Sequence, residues 1–175
     1  MKVVIRRTTN EDLNAVYDLH QMCFQPSDCW YKSYLRSFMS SGYVLVSVEN
    51  NKFIGVLLEG DIVACADGGV DTGAEQFIHE SEMGKYFVKD NKHKVVLHGM
   101  VMVCVHPRYR NKGLGGRLID TFHKDNKNRE LYLHTRQSNA SNISLYKSKG
   151  YQILGRIKEK YFQPTEDSVF MYRNA

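Results

Sequence analysis

The stretch VCVHPRYRNKGLGGRLI, Val103 to Ile119, constrains this chain more than any other. It begins with alternating β-branched residues, which favour a strand. Pro107 stops the strand, because proline has no amide hydrogen to give to a sheet ladder. Arg108, Arg110 and Lys112 follow, and then Gly113, Gly115 and Gly116. From Gly113 to about Lys127 the spacing of Leu114, Leu118, Ile119 and Phe122 predicts a helix with one apolar face. The order is strand, basic glycine turn, helix. Successive N–H groups at such a helix start form an anion cradle, and glycines let the ligand come close. The expected ligand is a pyrophosphate. No G-x-x-x-x-G-K-[ST] string occurs, so the turn is not a Walker A loop. Gly113-Leu114-Gly115-Gly116-Arg117-Leu118 also fails the G-x-G-x-x-G dinucleotide pattern. The bland alternative, glycines that only permit tight strand–helix packing, leaves the basic residues unexplained.

The rest of the chain supplies a frame for this turn. Its 175 residues are 42% apolar, which suits one domain with a real core. The formal charge of +5 is scattered apart from the cluster at Arg108, Arg110 and Lys112, so a local phosphate site is expected rather than a direct nucleic-acid groove. Cys23, Cys29, Cys65 and Cys104 form no C-x-x-C pair and read as reduced, mostly buried thiols of an intracellular protein, with the cytoplasm as the default compartment. The apolar run Val3 to Ile5 is too short for a secretory leader, and no stretch approaches the ~18 apolar residues of a membrane span.

Lys2 to Arg7 predicts a first strand, and Thr8, Thr9 and Asn10 offer caps for a helix running to about Phe24. Pro26 and Ser27 break it, and Trp30 to Met39 predicts a second short helix. Tyr43 to Glu49 and Lys52 to Cys65 read as a hairpin turning at Asn50-Asn51. Ala66 to His93 is unassigned and reads as an insertion, with a helix expected from Ala74 to Met83. Lys94 to Val105 is a long, nearly continuous apolar strand and therefore central. Glu130 to Thr135 is a strand, and Asn139 to Lys149 a helix closed by Gly150. Tyr151 to Phe162 and Ser168 to Arg173 form a last antiparallel pair around a turn at Gln163 to Asp167. The fold class is α/β (α+β): one domain with a mixed, mostly antiparallel sheet and helices on both faces.

Arg110-Asn111-Lys112-Gly113-Leu114-Gly115, preceded by Val105-His106-Pro107, resembles the core motif of the GNAT acetyltransferase superfamily. LYLHTRQSNASNISLYKSKGY, Leu131 to Tyr151, and KYFQPTEDSVFMY, Lys160 to Tyr172, resemble the N-terminal protein acetyltransferases of that superfamily, including the type that acetylates ribosomal-protein alanine. The opening IRRTTNEDL and the stretch FQPSDCWY share the likeness, whereas Ala66 to His93 does not. The resemblance implies acetyl-CoA as cosubstrate and no metal. It implies a cofactor site made of the Val103, Cys104 and Val105 backbone, the turn Arg110, Asn111, Lys112, Gly113, Leu114, Gly115 and Gly116, and the side chains Asn139 and Tyr146. It also implies that Phe24, Pro26 and Tyr31 in the first loop, with Tyr161 and Phe162 in the last hairpin, grip a peptide N-terminus. A ribosome or an auxiliary subunit would be the natural partner, and a membrane would not.

Acetyl transfer needs a neutral amine, a polarised thioester carbonyl and a proton for the leaving thiolate. The resemblance implies His134 as the general base, with ordered water as the alternative proton acceptor, and Tyr146 as the proton donor. A backbone N–H of Val103 to Val105 should hold the oxyanion. Many members of the superfamily place a second base where this chain has Gly99, and the adjacent His98 should point to the opposite face of its strand. Asn139 could equally be a plain helix N-cap, His134 a packed core histidine, Tyr146 a core aromatic, and Tyr161 and Phe162 ordinary sheet aromatics. Two rival functions stand beside N-terminal acetylation. One is acetylation of lysine, a polyamine or another small amine, to which Glu49, Glu59 and Asp61 would contribute attraction. The other is a non-catalytic module that binds coenzyme A or docks on a ribosome.

Overall fold

The computed structural model describes residues 3–41, 44–65, 77–79, 94–162 and 164–175, with the backbone alone at 27, 41, 44, 61–65, 77–79, 94–96 and 157–162. The chain forms two compact units, Met1–Gly60 with Met100–Lys127, and Asp61–Gly99 with Asn128–Ala175. The class is the expected mixed α/β fold with a mostly antiparallel sheet. No helix among the described residues is long and apolar enough to cross a membrane.

In the first unit the strands lie in the order β1 (Val4–Arg7), β2 (Val44–Glu49), β3 (Lys52–Cys65) and β5 (Lys94–Val105). Asn50 and Asn51 both take positive φ, 48° and 60°, as a two-residue hairpin turn requires. The β2–β3 ladder passes from Ser47–Gly55 to Val48–Phe53, so Ile54 is left as a bulge. Its carbonyl accepts the His106 N–H at 2.9 Å, which fixes the point where β5 ends.

Sheet alternation then sorts the helices. Val46, Val56 and Leu58 join Leu13, Val16 and Leu19 of α1 (Leu13–Cys23) and Leu35 of α2 (Lys32–Ser41) in one buried cluster. On the opposite face, Gly55 stands beside Ser47 and beside Leu118 of α3 (Leu114–Asp125). The first unit thus carries helices on both faces of its strands, as expected. The entry to α1 is held by the Asp12 carboxylate, which accepts from the Thr9 N–H at 2.7 Å and from Arg6 at 2.7 and 3.0 Å. Of the three candidates, Thr9 caps a short 3-10 turn, Asn10–Asp12, and Asp12 takes the N-cap position of the α-helix that follows, so none of the three caps α1 itself.

The second unit orders its strands β5, β6 (Leu131–Arg136), β8 (Thr165–Arg173), β7 (Gln152–Phe162) and β4 (Phe77–His79). β5 and β6 run parallel, whereas β6–β8, β7–β8 and β4–β7 are antiparallel. α4 (Ala140–Ser148) ends at Gly150, which takes φ 89° as the expected left-handed closing residue.

Three expectations need correction. Phe77–His79 is a strand, paired with Gly155–Ile157, and not part of a helix from Ala74 to Met83. The partner strand decides this segment, and a long-range pairing of that kind leaves no local periodicity. The rest of 66–93 lies outside the described residues. β8 begins at Thr165, so the last turn is three residues tighter than read from the polar run. α2 begins at Lys32 and continues to Ser41, two residues later at each end than expected.

Candidate active site

The anion cradle is built in the first unit from local rules. His106 opens a 3-10 turn, Pro107–Tyr109, and its Nδ1 accepts the Arg108 N–H at 3.2 Å. Asn111 and Gly113 then adopt left-handed φ, 58° and 73°. A Cβ on Gly113 would meet nothing within 4 Å, so the left-handed conformation, and not crowding, explains the glycine. The first helical bond of α3 runs from the Arg117 N–H to the Gly113 carbonyl at 3.0 Å. The N–H groups of Leu114, Gly115 and Gly116 therefore precede the helical ladder, with the positive end of the helix dipole behind them. No acidic residue occupies the first turn of α3. Arg110, Asn111, Lys112 and Gly113 are exposed, while Leu114 and Gly116 are buried and anchor the turn. The Lys112 ammonium lies 5.4 Å from the Tyr109 ring centroid, which keeps its charge beside the turn. Arg117, also exposed in that first turn, is a cation that the sequence reading passed over.

The strand before the turn is more committed than expected. The Val105 carbonyl accepts from Arg110 Nε at 3.1 Å and from Cys23 Sγ at 3.4 Å. Both of its lone pairs are used. Of the Val103, Cys104 and Val105 backbone, that carbonyl is thus engaged within the fold, while Val103 and Val105 remain half-buried and Cys104 is buried. A hydrogen bond with Cys104 lowers the Cys23 thiol pKa, burial opposes this, and the Arg110 charge adds to the lowering. The same bond and complete burial push the Cys104 thiol far up.

The second unit carries the acyl-transfer candidates. His134 lies half-buried in β6, paired in register with Phe170. Asn139 occupies the N-cap position of α4, yet its side chain makes no capping bond. Its Nδ2 reaches Thr135 Oγ1 at 3.3 Å, and its Oδ1 accepts from Ser141 Oγ at 3.4 Å. The plain N-cap alternative therefore holds for the backbone and fails for the side chain. Tyr146 is buried in α4, with its ring 6.1 Å from that of Tyr151 in an edge-on contact.

Gly99 has a physical explanation. It pairs with Tyr132 across the parallel β5–β6 contact, and a Cβ there would overlap the Tyr132 carbonyl and its peptide atoms. A side-chain base at this position is incompatible with the strand pairing. The glycine is a condition of the sheet.

The residues expected to grip an acceptor fall into both units and are described separately. In the first, Phe24 ends α1 in an extended conformation and stacks on His20 with ring centroids 4.7 Å apart. Pro26 is exposed at the start of a 3-10 turn, and Tyr31 is 84% exposed. His20 and Trp30 were missed by sequence reading. Their rings lie 5.7 Å apart, His20 is buried, and among the described residues nothing hydrogen-bonds its Nδ1. Burial lowers the His20 pKa and favours the neutral ring. In the second unit, Tyr161 pairs in register with Glu166 and Phe162 with Thr165, while their side chains lie outside the described residues.

A glycine turn with free N–H groups at a helix N-terminus, set after a long strand of a mixed sheet, is an α/β arrangement able to receive a phosphate. The sequence profile of the acetyltransferase (GNAT) family matches residues 13–151, and the chain belongs to that family. No curated protein matches the chain in sequence. Among solved structures it is similar to the ribosomal-protein-S18-alanine N-acetyltransferase from Escherichia coli, with 18% identity, a TM-score of 0.71, and 99% of this chain and 94% of that one covered. It is also similar to Arabidopsis thaliana NAA60 in complex with a bisubstrate analogue, with 18% identity, a TM-score of 0.73 and coverage of 99% and 98%. The loading GNATL domain of CurA from Lyngbya majuscula is similar too, with 10% identity, a TM-score of 0.72 and coverage of 99% and 98%. At these identities the likeness establishes the fold. The chain is an acetyl-CoA-dependent acetyltransferase by family.

Proposed function

We propose that this chain transfers the acetyl group of acetyl-CoA to the free α-amino group of protein or peptide N-termini. The observation that carries the reading is Gly99. With the second-base position closed by the Tyr132 carbonyl, proton removal falls to one imidazole, His134. An α-amine has a pKa near ~8 and a lysine near ~10.4, so the α-amine is easier to deprotonate at neutral pH by about 3 kcal/mol. A single imidazole base suits the first acceptor far better than the second.

In this mechanism the Leu114, Gly115 and Gly116 N–H groups, with Arg110 and Lys112, bind the pyrophosphate of the cosubstrate. Asn139 holds the pantetheine arm. His134 accepts the amine proton, through a water, as nitrogen attacks the thioester carbonyl. A backbone N–H of Val103 to Val105 stabilises the charge growing on the carbonyl oxygen. The Tyr146 hydroxyl returns a proton to the departing thiolate. Phe24, Pro26 and Tyr31, with Tyr161 and Phe162, hold the first residues of the acceptor. The same reading takes the cytoplasm as the compartment and a ribosome or auxiliary subunit as partner.

The test is incubation with acetyl-CoA and peptides carrying a free or blocked N-terminus and an internal lysine, with the acetyl group located by mass spectrometry. Product confined to free N-termini supports the proposal. Acetyl-lysine in blocked peptides moves the chain to the side-chain or small-amine group, and binding without product points to a missing partner, a non-peptide acceptor or a non-catalytic module.

A further inference from the structure

We propose that Glu166 is a positioning residue, a latch that fixes the tip of the β7–β8 hairpin against the turn between β6 and α4. The inference rests on the N-terminal acetylation reading for what the hairpin holds, and on the geometry below for the latch itself.

Both oxygens of the Glu166 carboxylate are engaged. Its Oε1 accepts from Arg136 Nη1 at 2.7 Å and from Ser138 Oγ at 3.1 Å, and its Oε2 accepts the Ser138 N–H at 2.9 Å. Arg136 Nη1 also donates to the Pro164 carbonyl at 3.2 Å, inside the hairpin turn. A further bond, from the Gln137 N–H to the Asp167 carbonyl at 3.0 Å, runs alongside. The Arg136 and Glu166 side chains are only 14% and 16% exposed, so this charge-assisted pair is shielded from most solvent. Burial pushes the Glu166 pKa up, and the Arg136 and Ser138 bonds bring it below its ordinary value, which keeps the carboxylate ionised at neutral pH.

The Glu166 side-chain bonds lie outside the β6–β8 ladder. The β6–β8 ladder runs from Leu131–Arg173 to Arg136–Ser168, and Glu166 lies two residues beyond its last pair. The latch therefore acts past the end of the ladder, where it decides the direction of the hairpin tip. What it joins is specific. On one side, Glu166 pairs in register with Tyr161, and Thr165 with Phe162, the two hairpin residues assigned to the acceptor. On the other, Ser138 is followed by Asn139, whose N–H bonds back to the Arg136 carbonyl at 3.0 Å. One carboxylate thus ties the acceptor hairpin to the segment that carries Asn139 and leads into α4 with Tyr146. A displacement of about 1 Å in a reacting group can cost about 10²-fold in rate, so a link of this kind governs productive placement of the amine.

The test is steady-state kinetics of Glu166→Gln in the full chain, varying acceptor and acetyl-CoA separately, with a melting curve for each variant. Glutamine keeps the shape and an acceptor oxygen for the Ser138 N–H but loses the ion pair. The expected result is a fall of about 10-fold or more in kcat/KM for the acceptor, carried mainly by its KM, with the KM for acetyl-CoA within about 2-fold. Ser138→Ala, which removes only the Oγ bond, should shift the acceptor KM in the same direction by a smaller factor, and it stands in if Glu166→Gln does not fold. An unchanged acceptor KM in both, or parallel losses for acceptor and acetyl-CoA that follow the melting temperature, would overturn the latch. The kinetics use whichever amine the wild type acetylates in the peptide panel. Lysine acetylation by the wild type therefore overturns the functional reading alone, while unchanged acceptor kinetics overturn the latch alone.

Discussion

The β5–α3 turn and the β6–α4 segment hold the two halves of the proposed site, and they are built in opposite ways. The turn is made from neighbours in sequence. Pro107 ends the strand, Asn111 and Gly113 take left-handed φ, and the Arg117 bond to Gly113 starts the helix, all within eleven residues of chain. The β6–α4 segment is made by partners far away. Gly99 comes from β5, Phe170 opposes His134, and Glu166 holds Arg136 and Ser138 across about thirty residues of sequence. A local device survives as a motif because its residues must stand at fixed spacing. A long-range device leaves single letters whose meaning appears only once the strands are paired.

The comparison can be broken at its strongest point first. Gly99→Ala should cost about 3 kcal/mol or more in a urea melt, because a methyl group has to push β5 from the Tyr132 carbonyl. A loss below about 1 kcal/mol would mean that the pairing tolerates a side chain and that the glycine does not exclude a base. His134→Ala should reduce kcat by about 10²-fold or more, with acetyl-CoA affinity unchanged within about 2-fold by titration calorimetry. Retained turnover would return the histidine to the packed core.

Gly113→Ala probes the local device. The Cβ has open space, so the cost is the left-handed backbone alone, about 1–2 kcal/mol. Weaker acetyl-CoA binding with an intact acceptor KM is the expected signature, the mirror image of the Glu166 variant. Asp12→Asn lies outside both regions and should be the mildest, about 1 kcal/mol by chemical denaturation with no change in kinetics. Arg6 holds the Asp12 carboxylate below its ordinary value. That contribution is present above the ordinary carboxylate range and is lost as pH falls through the lowered pKa, so the gap between wild type and variant should narrow in acid.

Legibility in the sequence follows the same division. The hairpin at Asn50-Asn51, the bounds of β3 and β5, the buried face of α3 and the closing Gly150 were all readable from local chemistry. Phe77–His79 was not, because pairing with β7 makes it a strand where the local spacing suggested a helix. At the candidate site, the glycine turn and its left-handed Gly113 were readable from local spacing. Asn139 was found by family likeness, but its side chain bonds Thr135 and Ser141, which a cap reading did not foresee. Arg136, Ser138 and Glu166 lie in stretches that carried the family likeness, but nothing in the sequence linked them to one another, since their partnership exists only in the folded register.

The central claim is that one imidazole suffices because the acceptor is an α-amine. The direct measurement is kcat/KM at neutral pH for a peptide with a free N-terminus against the same peptide blocked at its N-terminus and bearing a lysine. The account predicts a preference for the free N-terminus of about 10²-fold or more, the factor that about 3 kcal/mol in amine deprotonation implies. Equal rates, or a preference for lysine, would contradict it.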